Sequence, residues 1–141
     1  MATKKEISIK DYREILNTIE LDNICMIEAS FKIDKELLSD EIKLTTKETF
    51  KYEKKDNLLI VLYKTSLKGI DVKTKNAPIT ASATHEVTYS MTGERDITPE
   101  FMDKFGEFST SMAVWPFFRE YIQNMISRTQ LPHLTLPLKK L

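Results

Sequence analysis

Between Ile79 and Thr92 the chain alternates without interruption. Ile79, Ala81, Ala83, His85, Val87, Tyr89 and Met91 fall on one side, with Thr80, Ser82, Thr84, Glu86, Thr88, Ser90 and Thr92 on the other. A helix repeats every 3.6 residues and would scatter these apolar side chains around its surface. Only a strand, whose side chains point alternately to opposite faces, collects them on one side. The segment therefore demands a long strand with one covered face and one polar face.

A strand of that length needs neighbours, and the upstream sequence supplies them. In "IKLTTKETFKYE" the residues Ile42, Leu44, Phe50 and Tyr52 point one way, and Lys43, Thr45, Lys47, Thr49 and Lys51 the other. "KKDN" is a turn signal. "LLIVLYKTSLKGIDV" leaves it as a further strand, whose continuous apolar opening predicts burial on both faces. "TKNAP" turns the chain into the alternating segment. Three long strands joined by short turns predict an antiparallel meander. A fourth strand comes earlier: in "NICMIEASFKI", Cys25, Ile27, Ala29, Phe31 and Ile33 form the predicted covered face, with Met26, Glu28, Ser30 and Lys32 opposite.

Helical signals flank the strands. Residues 8–19 place Tyr12, Ile15, Leu16 and Ile19 on one stripe, with Ser8 as the predicted cap. After the last strand, Thr98 caps, Pro99 suits a first helical position, and Glu100 suits the positive end of the helix dipole. Phe101, Phe105 and Phe108 make the stripe of that helix. A second helix is predicted from Ser109 or Thr110, lined by Met112, Trp115, Phe118 or Arg119, Ile122 and Ile126. Pro116 follows Trp115 directly and has no N–H to donate, so it fits a first turn or a kink. That puts the start of regular helix near Pro116, with 109–115 as a capped or kinked lead-in. Pro132 and Pro137 then end the helix and leave a strap whose Leu131, Leu134 and Leu136 pack back on the domain. A short helix, four strands and two helices packed on the sheet define a single α+β domain over residues 1–141.

The residues that could carry chemistry are scattered. The three glycines, Gly69, Gly93 and Gly106, form no phosphate-cradling loop. His85 and His133 lack a second ligand at metal spacing, and His85 on the apolar face reads as a satisfied core histidine. The single Cys25, on the predicted covered face, reads as a small buried hydrophobe and excludes an internal disulfide. No nucleophile elbow surrounds any Ser or Cys. These features argue against an enzyme, a metal and a cofactor. With 21 Lys and Arg against 21 Asp and Glu, no net field points to nucleic acid. "MATKKEISIK" has no apolar stretch of a signal peptide, and no run is long enough for a membrane span. A cytoplasmic protein is expected.

What remains is a helix-and-sheet scaffold rich in aromatics and methionine, and its closing stretch resembles a known family. "WPFFREYIQNMISRTQLPHLTLP" is similar to the signature of SecB-type export chaperones. The match falls on Pro116, Arg119, Glu120 and Tyr121, then Arg128, then Leu131, Pro132, Leu134, Leu136 and Pro137. The resemblance implies a four-stranded antiparallel sheet with helices, assembled as a homotetramer that is a dimer of dimers. It implies ATP-independent holding of unfolded polypeptides in long apolar grooves. Export members pass preproteins to the SecA motor, whereas members encoded beside toxin–antitoxin pairs hold an antitoxin. Two departures count against SecA docking. Export members are acidic, whereas this chain has zero net charge and carries Lys43, Lys47 and Lys51 on a polar strand face. The chain also ends at Lys139, Lys140 and Leu141, without an extended C-terminal region.

On this reading the expected client-binding side chains are Phe31, Phe50, Tyr52, Tyr63 and Tyr89 on strands, with Trp115, Phe118 and Ile122 on the last helix. Their alternative place is the subunit core. Arg119 and Glu120 are expected to stabilise the helix or an interface. An adaptor subunit that binds one folded partner is the competing function.

Overall fold

The computed structural model of the chain describes residues 7–93, 96–129 and 131. Helix α1 spans Ile9–Leu16, and Ser8 caps it by accepting a hydrogen bond from the Asp11 N–H at 3.2 Å. The helix stops short of the predicted residue 19 because Ile19 already begins strand β1, Ile19–Ile33. Strands β2 (Ile42–Lys55), β3 (Leu58–Asp71) and β4 (Ile79–Met91) follow. Asp56 turns β2 into β3 in the left-handed region, at φ 50°, which Asp tolerates better than most residues. All pairings are antiparallel and the strand order is β1-β4-β3-β2. The first strand therefore closes the meander by pairing with the last, and β1 and β2 form the two edges.

In β4 the predicted alternation is the observed one: Ile79 to Met91 are alternately buried and half-buried. Strand β1 differs. Its register against β4 shifts between Leu21 and Asn23 and again between Met26 and Glu28. Each bulge adds a residue and reverses the side-chain phase. Ile24 and Met26 therefore point to the same face as Ala29 and Phe31, whereas Cys25, opposite Glu86, points to the other and is exposed. Cys25 is thus not a buried hydrophobe, and Ile27, 52% exposed, is not on a covered face. The start of β3 also departs from expectation. Leu59, Val61 and Tyr63 are buried under helices, but Leu58 is 40% exposed on the opposite face, which no helix among the described residues covers.

One helical layer covers the inner face. Helix α2 (Pro99–Lys104) starts as predicted, with the Thr98 hydroxyl accepting from the Phe101 N–H at 3.1 Å. It does not end before a second helix. A π-helical turn, Phe105–Thr110, carries it into α3, Ser111–Ser127. The reason lies in the spacing of inward residues. Phe101, Met102, Phe105 and Gly106 point in, and so do Thr110, Ser111, Val114 and Trp115. The step from Phe105 to Thr110 is five residues, which a π turn accommodates and an α-helix does not. Phe108 is carried off the predicted stripe and is 38% exposed, and Met112 is likewise outside it at 42%. Thr110 is not a cap: its hydroxyl pairs with the Tyr89 hydroxyl at 2.9 Å.

Pro116 sits within α3 rather than at its start. It denies the Met112 carbonyl its helical donor, and its own exposed ring packs little in return. Pro116→Ala is therefore expected to raise stability, by up to about 3 kcal/mol, in a urea titration. A loss of stability would show that the proline holds a needed bend. The strap residues Pro132, Leu134, Leu136 and Pro137 lie outside the described residues, as does His133.

The core has two parts. Leu59, Val61, Tyr63, Val87 and Tyr89 of the sheet pack against Phe101, Met102, Phe105 and Val114, with Ile15 of α1. Leu67, Ala81 and Ala83 pack against Trp115, Phe118, Ile122 and Ile126.

Candidate functional site

Seven of the eight aromatic and apolar residues expected to contact a client divide between these two regions. Phe50, Tyr63 and Tyr89 belong to the first. Phe50, half-buried on edge strand β2, stacks on Tyr63 with ring centroids 6.0 Å apart and planes 5° from parallel. The Phe50 ring lies directly on Gly106, where any Cβ would run into it. A glycine in the π turn thus lets the ring close the gap between sheet edge and helix. Tyr63 is buried, and its hydroxyl donates to Glu48 Oε2 at 2.7 Å, which also accepts from Ser111 Oγ at 3.2 Å. Burial, with the Glu48 carboxylate added, pushes the Tyr63 phenol well above its ordinary pKa. Burial likewise raises Tyr89, whose ring meets Phe105 edge-on at 4.8 Å.

Trp115, Phe118 and Ile122 belong to the second region and are buried, with half-buried Phe31 and Tyr121 packed on them. Tyr52 belongs to neither, and is 40% exposed on the inner side of edge strand β2. Of the motif residues, Glu120 and Pro116 are exposed, Arg119 is half-buried, Arg128 caps the end of α3, and Leu131 packs on the second core region. Arg128 and Leu131 also line a cleft with Ile33 and Leu38, between the end of β1 and the end of α3.

The structure adds side chains that the alternation pattern hid. Met26 is the register partner of His85 on the inner face, and Phe117 of α3 lies 6.3 Å from the His85 ring. Met26 is 40% exposed and Phe117 47%, and Leu21, further along the same face of β1, is 50%. An apolar strip thus runs where the helical layer ends and β1 begins. The three adjacent apolar residues Cys25, Met26 and Ile27 were a readable signal that strict alternation fails there. A second strip, Phe50 and Tyr52, follows the β2 edge. Among the described residues no cluster of His, Cys, Asp and Glu could hold a metal, and no helix is long and apolar enough to cross a membrane.

His85 is buried as expected but not satisfied, because its Nδ1 has no hydrogen-bond partner. Burial lowers its pKa, so the folded state prefers the neutral ring while the unfolded chain binds the proton more readily. Its contribution to stability is complete above the ordinary value of 6.5 and is lost as pH falls below it. Replacing His85 with leucine is expected to flatten that part of the stability–pH curve measured by urea denaturation. An unchanged slope would rule His85 out as its source.

No protein-family model matches the sequence, and no curated protein matches it significantly. Solved structures do match. The SecB-like chaperone Rv1957 of Mycobacterium tuberculosis, solved with a ChAD peptide from the HigA1 antitoxin, superimposes with a TM-score of 0.76 over 93% of this chain and 97% of that one. The chain has the fold of a SecB-like chaperone. Sequence identity across that SecB-like match is 14%, so the fold is kept while the side chains differ. A protein of unknown function from Streptococcus agalactiae aligns at a TM-score of 0.49 and 9% identity, over 84% of this chain and 96% of that one.

Proposed function

We propose that this chain is an ATP-independent holdase for unfolded or aggregation-prone polypeptides, acting in the cytoplasm on export precursors or on a dedicated client such as an antitoxin. The observation that carries the reading is the pair of exposed apolar strips on a scaffold with a SecB-like fold. Tyr52 and the Phe50 rim border one, and Met26, Phe117 and Phe31 border the other. Tyr63, Tyr89, Trp115, Phe118 and Ile122 form the packed floor that holds those side chains in place. Burial of apolar client surface contributes roughly 25 cal/mol per Å², less the entropy of ordering the client. The open edge of β2 can add main-chain hydrogen bonds to an extended client. Neither source of affinity demands a particular client sequence. The apolar residues left uncovered on a single chain also support assembly into a homotetramer, a dimer of dimers.

The test is a binding panel on the purified chain without nucleotide: an unfolded export precursor, an antitoxin, an unrelated unfolded protein and a folded control. Binding to the unfolded members and not to the folded control is expected. Binding to a single folded partner would identify an adaptor instead. Light scattering at micromolar concentration should give the mass of four chains, and a monomer would remove the tetramer.

A further inference from the structure

The outer face of the sheet, away from the helices, carries a regular charge pattern that client holding does not use. Lys51 lies opposite Leu62, Lys64 opposite Thr49, Lys47 opposite Ser66, Lys68 opposite Thr45, and Lys43 opposite Ile70. Each successive step of two residues thus places one lysine on this face, taken alternately from β2 and β3. All five side chains are exposed. Among the described residues the ion pair formed by a lysine of this face is that of Lys55 with Glu53, and the five lysines of the row have none. The other half of the face carries Glu28 on β1 and Glu86 on β4, with Glu20 and Lys32 towards the two ends of β1, and Glu53 stands on β2 beside Ile60 at the apolar end. At one end of the row the face turns apolar at Leu62, Ile60 and half-exposed Leu58. Two adjacent depressions there share Lys51 and Leu62 in their walls.

We propose that this face is a docking track for an extended acidic segment of a partner protein, a role that does not depend on the client reading. In an extended chain, alternate side chains point to one side about 7 Å apart, which is the spacing of the lysine rows over about 27 Å. Carboxylates at alternate positions meet one lysine each. A helix with acidic residues four apart matches the first spacing but rotates its stripe away by about 40° per step, so it cannot follow the track. Glu28 and Glu86 repel such a segment from the neighbouring strands beside Lys51 and Lys64. The apolar end takes the segment's apolar residues on Leu58, Ile60 and Leu62. The face presents no arginine and no aromatic side chain, which disfavours single-stranded nucleic acid, whose binding uses stacking platforms.

The probe is a fluorescein-labelled peptide with glutamate at alternate positions and a terminal apolar triplet. Its isomer has the glutamates three apart, so that an extended chain sends successive ones to opposite faces. Anisotropy titrations with the full chain are expected to favour the alternating peptide by about tenfold, from several surface ion pairs together, and to weaken as salt is raised. The triple variant Lys47→Ser, Lys51→Ser, Lys64→Ser, checked for an unchanged circular dichroism spectrum, should lose that preference. Lys73→Ser with Lys75→Ser, in the β3–β4 turn, should keep it. Equal binding of both isomers, or no effect of the triple variant, overturns the track. Tighter binding of oligothymidylate than of the peptide, or a changed assembly mass in the triple variant, also overturns it, in favour of nucleic acid or of a second copy.

Discussion

Replacing Phe118 with alanine is expected to cost the fold about 3–5 kcal/mol, the range for an aromatic side chain removed from a packed core. Phe118 is fully buried. Its ring lies 5.9 Å from Trp115 and 6.4 Å from Tyr121, in the same core region as Leu67, Ala81 and Ala83. The alanines of β4 leave the space that the ring fills, and they have no longer side chains with which to close the hole. The deletion therefore leaves a cavity rather than a collapsed core, and much of a typical domain's 5–15 kcal/mol is lost. Phe118→Leu keeps most of the volume and is expected to cost less than half as much. A urea titration of both variants checks the order. A cost near zero for alanine would mean that α3 does not seat on the sheet as described.

Replacing Tyr52 and Phe117 together with serine is expected to have the opposite profile. Both side chains are large and half-exposed, at 40% and 47%, and they border the two proposed client strips. Stability should change by no more than about 1 kcal/mol, as for surface substitutions away from the core. Client affinity should fall by about tenfold or more, because each ring contributes apolar surface that the client can no longer cover. Phe118→Ala and the double serine variant thus separate folding from holding. If the double variant binds an unfolded client as tightly as the parent, the strips lie elsewhere on the molecule.

The strands from Ile42 to Met91 are legible in the sequence because their period of two survives unbroken into the structure. Strand β1 is legible only as a strand. Two bulges reverse its phase, so Cys25 and Ile27 change places with Ile24 and Met26, and an alternation pattern carries no direct record of a bulge. The helices show the same limit. The Thr98 cap and Pro99 mark a start correctly, but the five-residue step from Phe105 to Thr110 reads as a break when an α repeat is assumed. Pro116 reads as a first turn or a kink, with regular helix starting near it, and it sits inside α3, because the π turn has already carried α2 into α3 five residues earlier. Alternation also tells which residues share a face, not what covers that face. Tyr63 and Tyr52 stand on the inner side of neighbouring strands, yet the helical layer buries one and leaves the other open. The same applies to the opening of β3, whose Leu58 was expected to be covered and faces outward.

The most direct measurement of holdase activity is the turbidity of an aggregation-prone client diluted from denaturant into buffer without nucleotide. With this chain present at stoichiometric amounts, turbidity is expected to be suppressed, less so by the Tyr52 and Phe117 double variant. A client that aggregates equally fast with and without the chain would contradict the proposal.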